Sequence, residues 1–291
     1  MIKLGLYSSI ANPPRGDHLD RCVREAIAEA ELAEACGFHG FFFGEHHQDR
    51  DGFLPSPLIV CAAVAARTKT LQIGTSVILL PLHNPISIAE DVVTLDIVSA
   101  GRAVLGVGLG YQEADFRAFG VERSHRVARF NEAVSILRQS WTGERFSHRG
   151  TEFDIEDVQV LPRPIQRPGV PLWIGGWVPA AVERAGRIGD ALVLGPSMTL
   201  EENLELCERY RKAAAKAGRE PHIVLMRDAW VADSFEDAAR EYGPEVVKAY
   251  KYYWRNGAVA FAQFKNEDDL QFETVWKNRI ITGSPQACVE Q

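Results

Sequence analysis

Glu45-His46-His47 follows directly on the apolar run Phe41-Phe42-Phe43. Two imidazoles and a carboxylate at the mouth of a strand suit proton-transfer chemistry, because an imidazole titrates close to working pH. Position adds to residue type: in an eight-stranded parallel barrel the C-terminal strand ends build the active site. Taken alone, the triplet also fits a surface turn with two solvated histidines. His83 and Asn84, after Leu79-Leu80-Pro81, sit at the next strand mouth and either line the same pocket or belong to a solvated loop. Arg227 falls within the apolar stretch Leu225-Met226-Arg227-Asp228-Ala229-Trp230. A buried guanidinium there needs a partner, either Asp228 or an anionic ligand.

The elements that must position these groups read as β-then-α units. Strands are expected at Lys3–Ser8, Phe38–Gly44, Leu71–Leu80, Ala103–Gly108, Leu172–Gly175, Ala191–Leu194, Ile223–Ala232 and Ile280–Thr282. Helices are expected at Asp17–Cys36, Pro57–Arg67, Pro85–Val98, His125–Trp141, Pro179–Gly189 and Glu201–Ala217, with helical segments at Phe235–Glu241 and Glu245–Trp254. In the first helix Leu19, Cys22, Val23, Ala26, Ile27 and Ala30 recur at the three-and-four spacing of a buried stripe. Arg145–Pro171, rich in Pro and Gly, interrupts the rhythm as a hairpin or extended excursion. This pattern predicts an α/β fold, a single (β/α)8 TIM barrel over 1–291 with an excursion between units four and five. Ser284-Pro285 starts a last helix that stops at Gln291 after about two turns, so a shortened C-terminal helix and a longer natural protein are expected.

Two glycine motifs carry possible chemistry. Leu105-Gly106-Val107-Gly108-Leu109-Gly110 lacks dinucleotide-fingerprint spacing. Its glycines either let neighbouring backbone pack closely or, at Gly108 and Gly110, clear room for a flat ring. Gly175-Gly176-Trp177, between a strand end and the helix at Pro179, is either a phosphate-binding turn or a plain tight turn. Metal binding is not expected: adjacent His46 and His47 cannot both face one ion from a regular strand, and no HExxH spacing occurs. Ser76 lacks the surroundings of a nucleophile elbow. His18, His39, His125, His148 and His222 read as structural or surface residues.

Composition narrows the class. The 291 residues are 46% hydrophobic and 24% charged, as in a globular protein with a full core. A net charge of −7 argues against nucleic acid or an anionic membrane as the main partner. The five cysteines form no CxxC pair, and four lie in or at the ends of helical patterns, which suits small buried hydrophobes in a reducing compartment. The N-terminus reads as a first strand and no apolar stretch is long enough to span a membrane. A soluble cytoplasmic protein is expected.

Together, Gly37–His47, Leu71–Pro81, Glu90–Phe119 and Pro171–Gly176 resemble, in order and spacing, the bacterial luciferase-like flavin oxidoreductases. The resemblance runs over nearly the whole chain. It implies that His46 matches the histidine that assists proton transfer at the flavin, and that Ser76–Val77 matches a cis peptide under the isoalloxazine ring. It further implies that Tyr7, Gly108 and Gly110 line the flavin, that Gly175, Gly176 and Trp177 form the phosphate turn, and that Arg227 matches an active-site arginine of the alkanesulfonate branch. There are departures. Gly108 stands in place of a luciferase cysteine, Leu109 of an arginine at the flavin phosphate, and Asn84 of a second histidine, which points away from light emission.

The implied activity is a monooxygenase that uses reduced FMN, supplied by a separate flavin reductase, to pass one oxygen atom from O2 to a small organic substrate. Gly74-Thr75-Ser76-Val77 also resembles the branch using the deazaflavin coenzyme F-420, which would make the protein a hydride-transfer oxidoreductase. A non-catalytic flavin-binding protein is the third reading. Homodimerisation follows from the resemblance, and substrate shape is assigned to the segments near 145–171 and a mobile segment near 250–277.

Overall fold

Apolar runs bounded by glycine and proline become short parallel strands, and the amphipathic stretches between them become helices. The computed structural model describes residues 2–10, 19–48 and 54–291. Its chain divides into two units, Met1–Ile174 and Gly175–Gln291. The expected helix start at Asp17 and the histidine His18 lie outside the described residues.

The first unit contains β1 (Gly5–Ser8), α1 (Leu19–Ala35), β2 (Gly40–Phe43), α2 (Pro57–Arg67), β3 (Gln72–Thr75), β4 (Ile78–Leu79), α3 (Pro85–Val98) and β5 (Ala103–Gly108). It continues through α4 (Glu113–Ala118), α5 (Arg126–Ser140), β6 (Phe146–Arg149) and β7 (Asp154–Val158) to β8 (Leu172–Gly175), which ends at the boundary. The strands pair in parallel in the order β1-β2-β3-β5-β8, with β4 also on β5. All six residues of β5 are buried, as expected of a parallel strand covered on both faces. In α1 the expected stripe is buried at Ala26 and Ala30, with Ala33 beside them, while Cys22, Val23 and Ile27 are half-buried. Asn84 caps α3, its side chain accepting from the Ile86 and Ser87 N–H groups, with Pro85 at the first helical position.

The expected strand over Leu71–Leu80 is two strands. Pairing with β5 stops after Gly74↔Val104 and resumes at Ile78↔Val107. In the gap the Thr75 hydroxyl donates to the Gly106 carbonyl (2.7 Å) and accepts from the Gly106 N–H (3.1 Å), standing in for the missing ladder. The Ser76–Val77 peptide bond is cis, as the resemblance implied. Within 145–171, β6 and β7 form an antiparallel hairpin. Glu132 of α5 accepts from the Thr151, Glu152 and Phe153 N–H groups, and Asp96 of α3 from those of Ile165 and Gln166.

The second unit holds α6 (Pro179–Ile188), β9 (Ala191–Leu194), α7 (Leu200–Lys216), β10 (Ile223–Leu225), β11 (Asp228–Val231), α8 (Phe235–Arg255), α9 (Phe272–Val275), β12 (Ile280–Gly283) and α10 (Pro285–Glu290). Here β10 pairs with β9 and β11 with β12, all parallel. The expected single strand over Ile223–Ala232 is therefore broken: the Met226 N–H makes a last bond to the Leu194 carbonyl of β9 (3.0 Å), and β11 then pairs with β12 instead. The two helical segments expected around Pro244 are one helix, α8, with the proline inside it. Phe261, Leu270 and Val275 are buried in the segment near 250–277.

The cysteine reading needs correction: Cys61 and Cys207 are buried, but Cys22 and Cys288 are half-buried and Cys36 is exposed. Position explains Cys36, which lies just past the C-terminal end of α1. No helix among the described residues is long and apolar enough to cross a membrane.

Candidate active site

The C-terminal end of β2 delivers Gly44, Glu45, His46 and His47 in succession. Alternation along an extended backbone puts Glu45 and His47 on one side and His46 on the other. The Glu45 N–H donates to the Val77 carbonyl (3.1 Å) and the Ser76 N–H to the Phe43 carbonyl (2.7 Å), so the break between β3 and β4 is fastened to this strand end. The His46 N–H donates to the Leu54 carbonyl (3.0 Å). His46, Ser76 and Val77 are thus brought together within the first unit.

Glu45 is 3% exposed. One carboxylate oxygen accepts from His47 Nε2 (3.0 Å) and His83 Nε2 (2.7 Å), and the other from the Leu79 N–H. Burial opposes the Glu45 charge, but the hydrogen bonds from His47, His83 and Leu79 outweigh it and hold its pKa at about 2. His46 moves the other way. Burial presses its imidazole down to about 4, with the Glu45 charge pulling up and His47 pushing down. At neutral pH the strand end therefore carries an ionised carboxylate beside a neutral His46.

Other groups close around this end. The ring of Phe119, just after α4, lies 4.7 Å from the His47 ring and 6.1 Å from that of His83. Asp115 of α4 is buried and accepts from Gln48 (3.3 Å). Burial pushes its carboxyl pKa up, with Gln48 and His47 opposing.

Tyr7 comes in from β1: a Cβ on Gly44 would sit 2.3 Å from the Tyr7 hydroxyl, so only glycine admits the phenol there. At the end of β5, a Cβ on Gly108 would meet Val77 Cγ2 at 2.7 Å. The missing side chain makes room for Val77. Gly110 has φ +72°, a conformation few side chains accept.

The remaining expected residues lie in the second unit. The Gly176 N–H is spent on the Val193 carbonyl (3.2 Å), and a Cβ there would press on Ala181 at 2.9 Å. Close strand-to-helix packing accounts for this glycine. After Gly175 and Gly176, the Trp177 indole covers Gly195, where a Cβ would lie 2.6 Å from Nε1, and meets the Tyr253 ring edge-on at 6.4 Å. The N-cap of α6, Val178, offers no side-chain cap, and Pro179 takes the first position.

Arg227 is not hydrogen-bonded to Asp228. Its Nη1 donates to the Met198 carbonyl (2.6 Å), while Asp228 accepts from the Tyr250 and Tyr242 hydroxyls at 2.7 and 3.3 Å. Adjacent residues of an extended segment face opposite ways, which separates the two. Arg227 Nη2 is buried with no hydrogen-bond partner among the described residues. Sequence reasoning missed the part played by Glu45 and left His83 open. The signal for Glu45 was its i,i+2 spacing to His47; His83 is 38 residues away in sequence.

A bound flavin needs an apolar contact for its ring, polar atoms for the pyrimidine edge, and neutralisation of its phosphate. Within the first unit, Val77, Tyr7 and the β2 end suit the ring and its polar edge; within the second, the uncapped α6 start and the unpartnered Arg227 nitrogen are groups of the kind that neutralise a phosphate. Each unit's residues fit the part of the group assigned to them. Among the described residues no cluster of three or more His, Cys, Asp or Glu is arranged to hold a metal ion.

A family model described as luciferase-like monooxygenase matches residues 2–291. The chain is 27% identical to the oxygenase component of flavin-dependent trigonelline monooxygenase from Acinetobacter baylyi, over 84% of this chain and 67% of that protein. It is 32% identical to F420-dependent glucose-6-phosphate dehydrogenase from Kineococcus radiotolerans, over 98% of this chain and 85% of that protein. Among solved structures, monooxygenase RslO1 from Streptomyces bottropensis matches with a TM-score of 0.82 at 28% identity, covering 99% of this chain and 86% of that one.

Proposed function

The chain belongs to the luciferase-like monooxygenase family, and on that footing we propose that it is a flavin-dependent monooxygenase acting on a small organic substrate. The observation that carries the reading is His46, held neutral beside an ionised Glu45 at the end of a buried parallel strand. A neutral imidazole accepts a proton, so His46 is assigned the role of base.

Tyr7, Ser76, Val77, Gly108 and Gly110 are assigned to the ring of the flavin. Gly175, Gly176 and Trp177, with the start of α6, are assigned to its phosphate, the contribution of Gly176 being its shape and not its committed N–H. Bound reduced FMN supplies the electrons that activate dioxygen. Arg227 holds an anionic group of the substrate or of the phosphate, its buried Nη2 being the supporting detail.

A separate reductase supplies the reduced flavin, in line with the relative described as an oxygenase component. A single closed (β/α)8 barrel, a homodimer and a cytoplasmic location complete the reading. The second reading is coenzyme F-420-dependent hydride transfer, favoured by the F420-dependent relative that aligns with 98% of the chain.

Anaerobic titration with reduced FMN and with reduced F-420, followed by mixing with oxygen, separates the two. Monooxygenase function predicts FMN binding and a changed rate of flavin reoxidation. Tight F-420 binding with none of FMN overturns it in favour of the second reading.

A further inference from the structure

The hairpin β6–β7 is tied to α5 at its tip. Glu132 accepts from the N–H groups of Thr151, Glu152 and Phe153 at 2.9, 3.2 and 3.1 Å and from the Thr151 hydroxyl (2.9 Å), and it faces His148 Nε2 at 3.3 Å. A Cβ on Gly150 would run into the same carboxylate, so the tip closes over Glu132 only with glycine there.

Arg129, three residues earlier on α5, shares that helix face. Its guanidinium meets two groups of the tip, the Phe153 ring at 4.7 Å and the Glu152 carboxylate at 3.9 Å. Both belong to residues whose N–H groups Glu132 holds. His125 Nδ1, 3.1 Å from the Glu152 carboxylate, steadies it further. Arg129 Nε then donates to the Pro81 carbonyl (2.9 Å), 48 residues away in sequence.

Pro81 is the middle of the buried turn Leu80–Leu82, closed by the His83 N–H on the Leu80 carbonyl (3.2 Å). The flanks of this turn hold Glu45. Leu79, two residues before Pro81, gives its N–H to one carboxylate oxygen, and His83, two residues after, gives Nε2 to the other at 2.7 Å. A proline has no N–H to anchor it, so the turn is fixed here through its carbonyl. A shift at Pro81 carries both donors away from Glu45.

We propose that Arg129 is a positioning residue for the β2 strand end, and that the excursion hairpin serves to orient it. Hairpin tip, guanidinium and Pro81 carbonyl form one contiguous brace that keeps the Leu79 and His83 donors on Glu45. This rests on the β2 end being the active site, as assigned above. Arg129 itself touches neither substrate nor flavin in this role.

The test is amide hydrogen exchange and proton shift by NMR at neutral pH, on protein without added flavin, in wild type, Arg129→Met, Arg129→Lys and Glu152→Gln. The Leu79 N–H is the reporter. The Ile73 N–H, bonded to the Arg102 carbonyl, is the reference for global stability. Arg129→Met keeps the length of the side chain and loses its donors and charge. Leu79 exchange should then speed about tenfold more than Ile73 exchange, the weight of one lost hydrogen bond to a charged group, and the Leu79 proton should move upfield. Arg129→Lys keeps the charge and a donor and should recover part of the change; Glu152→Gln should show the same change to a smaller extent. Reoxidation of bound reduced FMN should slow in the same order, with FMN affinity changed little.

Equal acceleration at Leu79 and Ile73, or a Leu79 proton unmoved in Arg129→Met, makes Arg129 a stability residue and overturns the proposal. So does a loosened Leu79 with an unchanged reoxidation rate. If Arg129→Met fails to fold, Arg129→Lys and Glu152→Gln decide by the same comparison. A loosened Leu79 in a protein that binds no FMN supports the brace and defeats the flavoenzyme reading; FMN binding with Leu79 unmoved does the reverse.

Discussion

Replacing His46 with glutamine removes one titration from the folded protein, and the effect on stability has a definite sign. Burial holds the folded imidazole at about 4, against an ordinary value of 6.5. Between those values the unfolded chain binds a proton that the folded chain refuses. Wild-type stability therefore falls as pH drops through 6.5 and levels off only below about 4. With each pKa unit worth about 1.4 kcal/mol, the wild type should lose about 2 kcal/mol from this residue between pH 7 and pH 5.

Glu45 does not interfere in that range. Its contribution is present above the ordinary carboxylate value and is lost only as pH falls toward its folded value of about 2. Paired urea-unfolding curves of wild type and His46→Gln, taken at half-unit steps of pH, measure the effect. The gap between the two proteins should shift by about 2 kcal/mol in favour of the variant as pH falls to 5. A gap constant to within about 0.5 kcal/mol would refute the burial argument and the neutral base built on it.

Two further outcomes follow from packing. Gly44→Ala drives a methyl group to 2.3 Å from the Tyr7 hydroxyl and should cost about 1–3 kcal/mol in unfolding free energy; adding Tyr7→Phe should recover part of the loss. Arg102 donates to the carbonyls of Ser99, Leu71, Ala65 and Thr68 and to the Thr68 hydroxyl, so Arg102→Lys should lower stability by about 2–3 kcal/mol in the same assay.

The positions of most elements were readable because a buried parallel strand is apolar on both faces and a covering helix on one. The Glu45–His47 pair went unread, although their i,i+2 spacing puts them on one side of an extended segment. What escaped were breaks that leave the apolar pattern intact. Leu71–Leu80 reads as one strand, yet the backbone turns aside at Thr75–Val77 because the Thr75 hydroxyl takes over the pairing with Gly106. Arg227 sits in a similar break, so Asp228 faces two tyrosines and the arginine faces the Met198 carbonyl.

The short helix α4 went unexpected because six residues give too little period to see, although it carries Asp115 toward Gln48. Gly108 allowed two readings, ring clearance or close packing, and Val77 pressed against it is a neighbour that spacing does not announce.

A crystal structure of the protein soaked with FMN bears most directly on the flavin site. The ring system is expected against Val77 and the Tyr7 phenol, with its pyrimidine edge or reactive face toward His46. Flavin density at another surface, with the end of β2 touched by nothing but water, would contradict it.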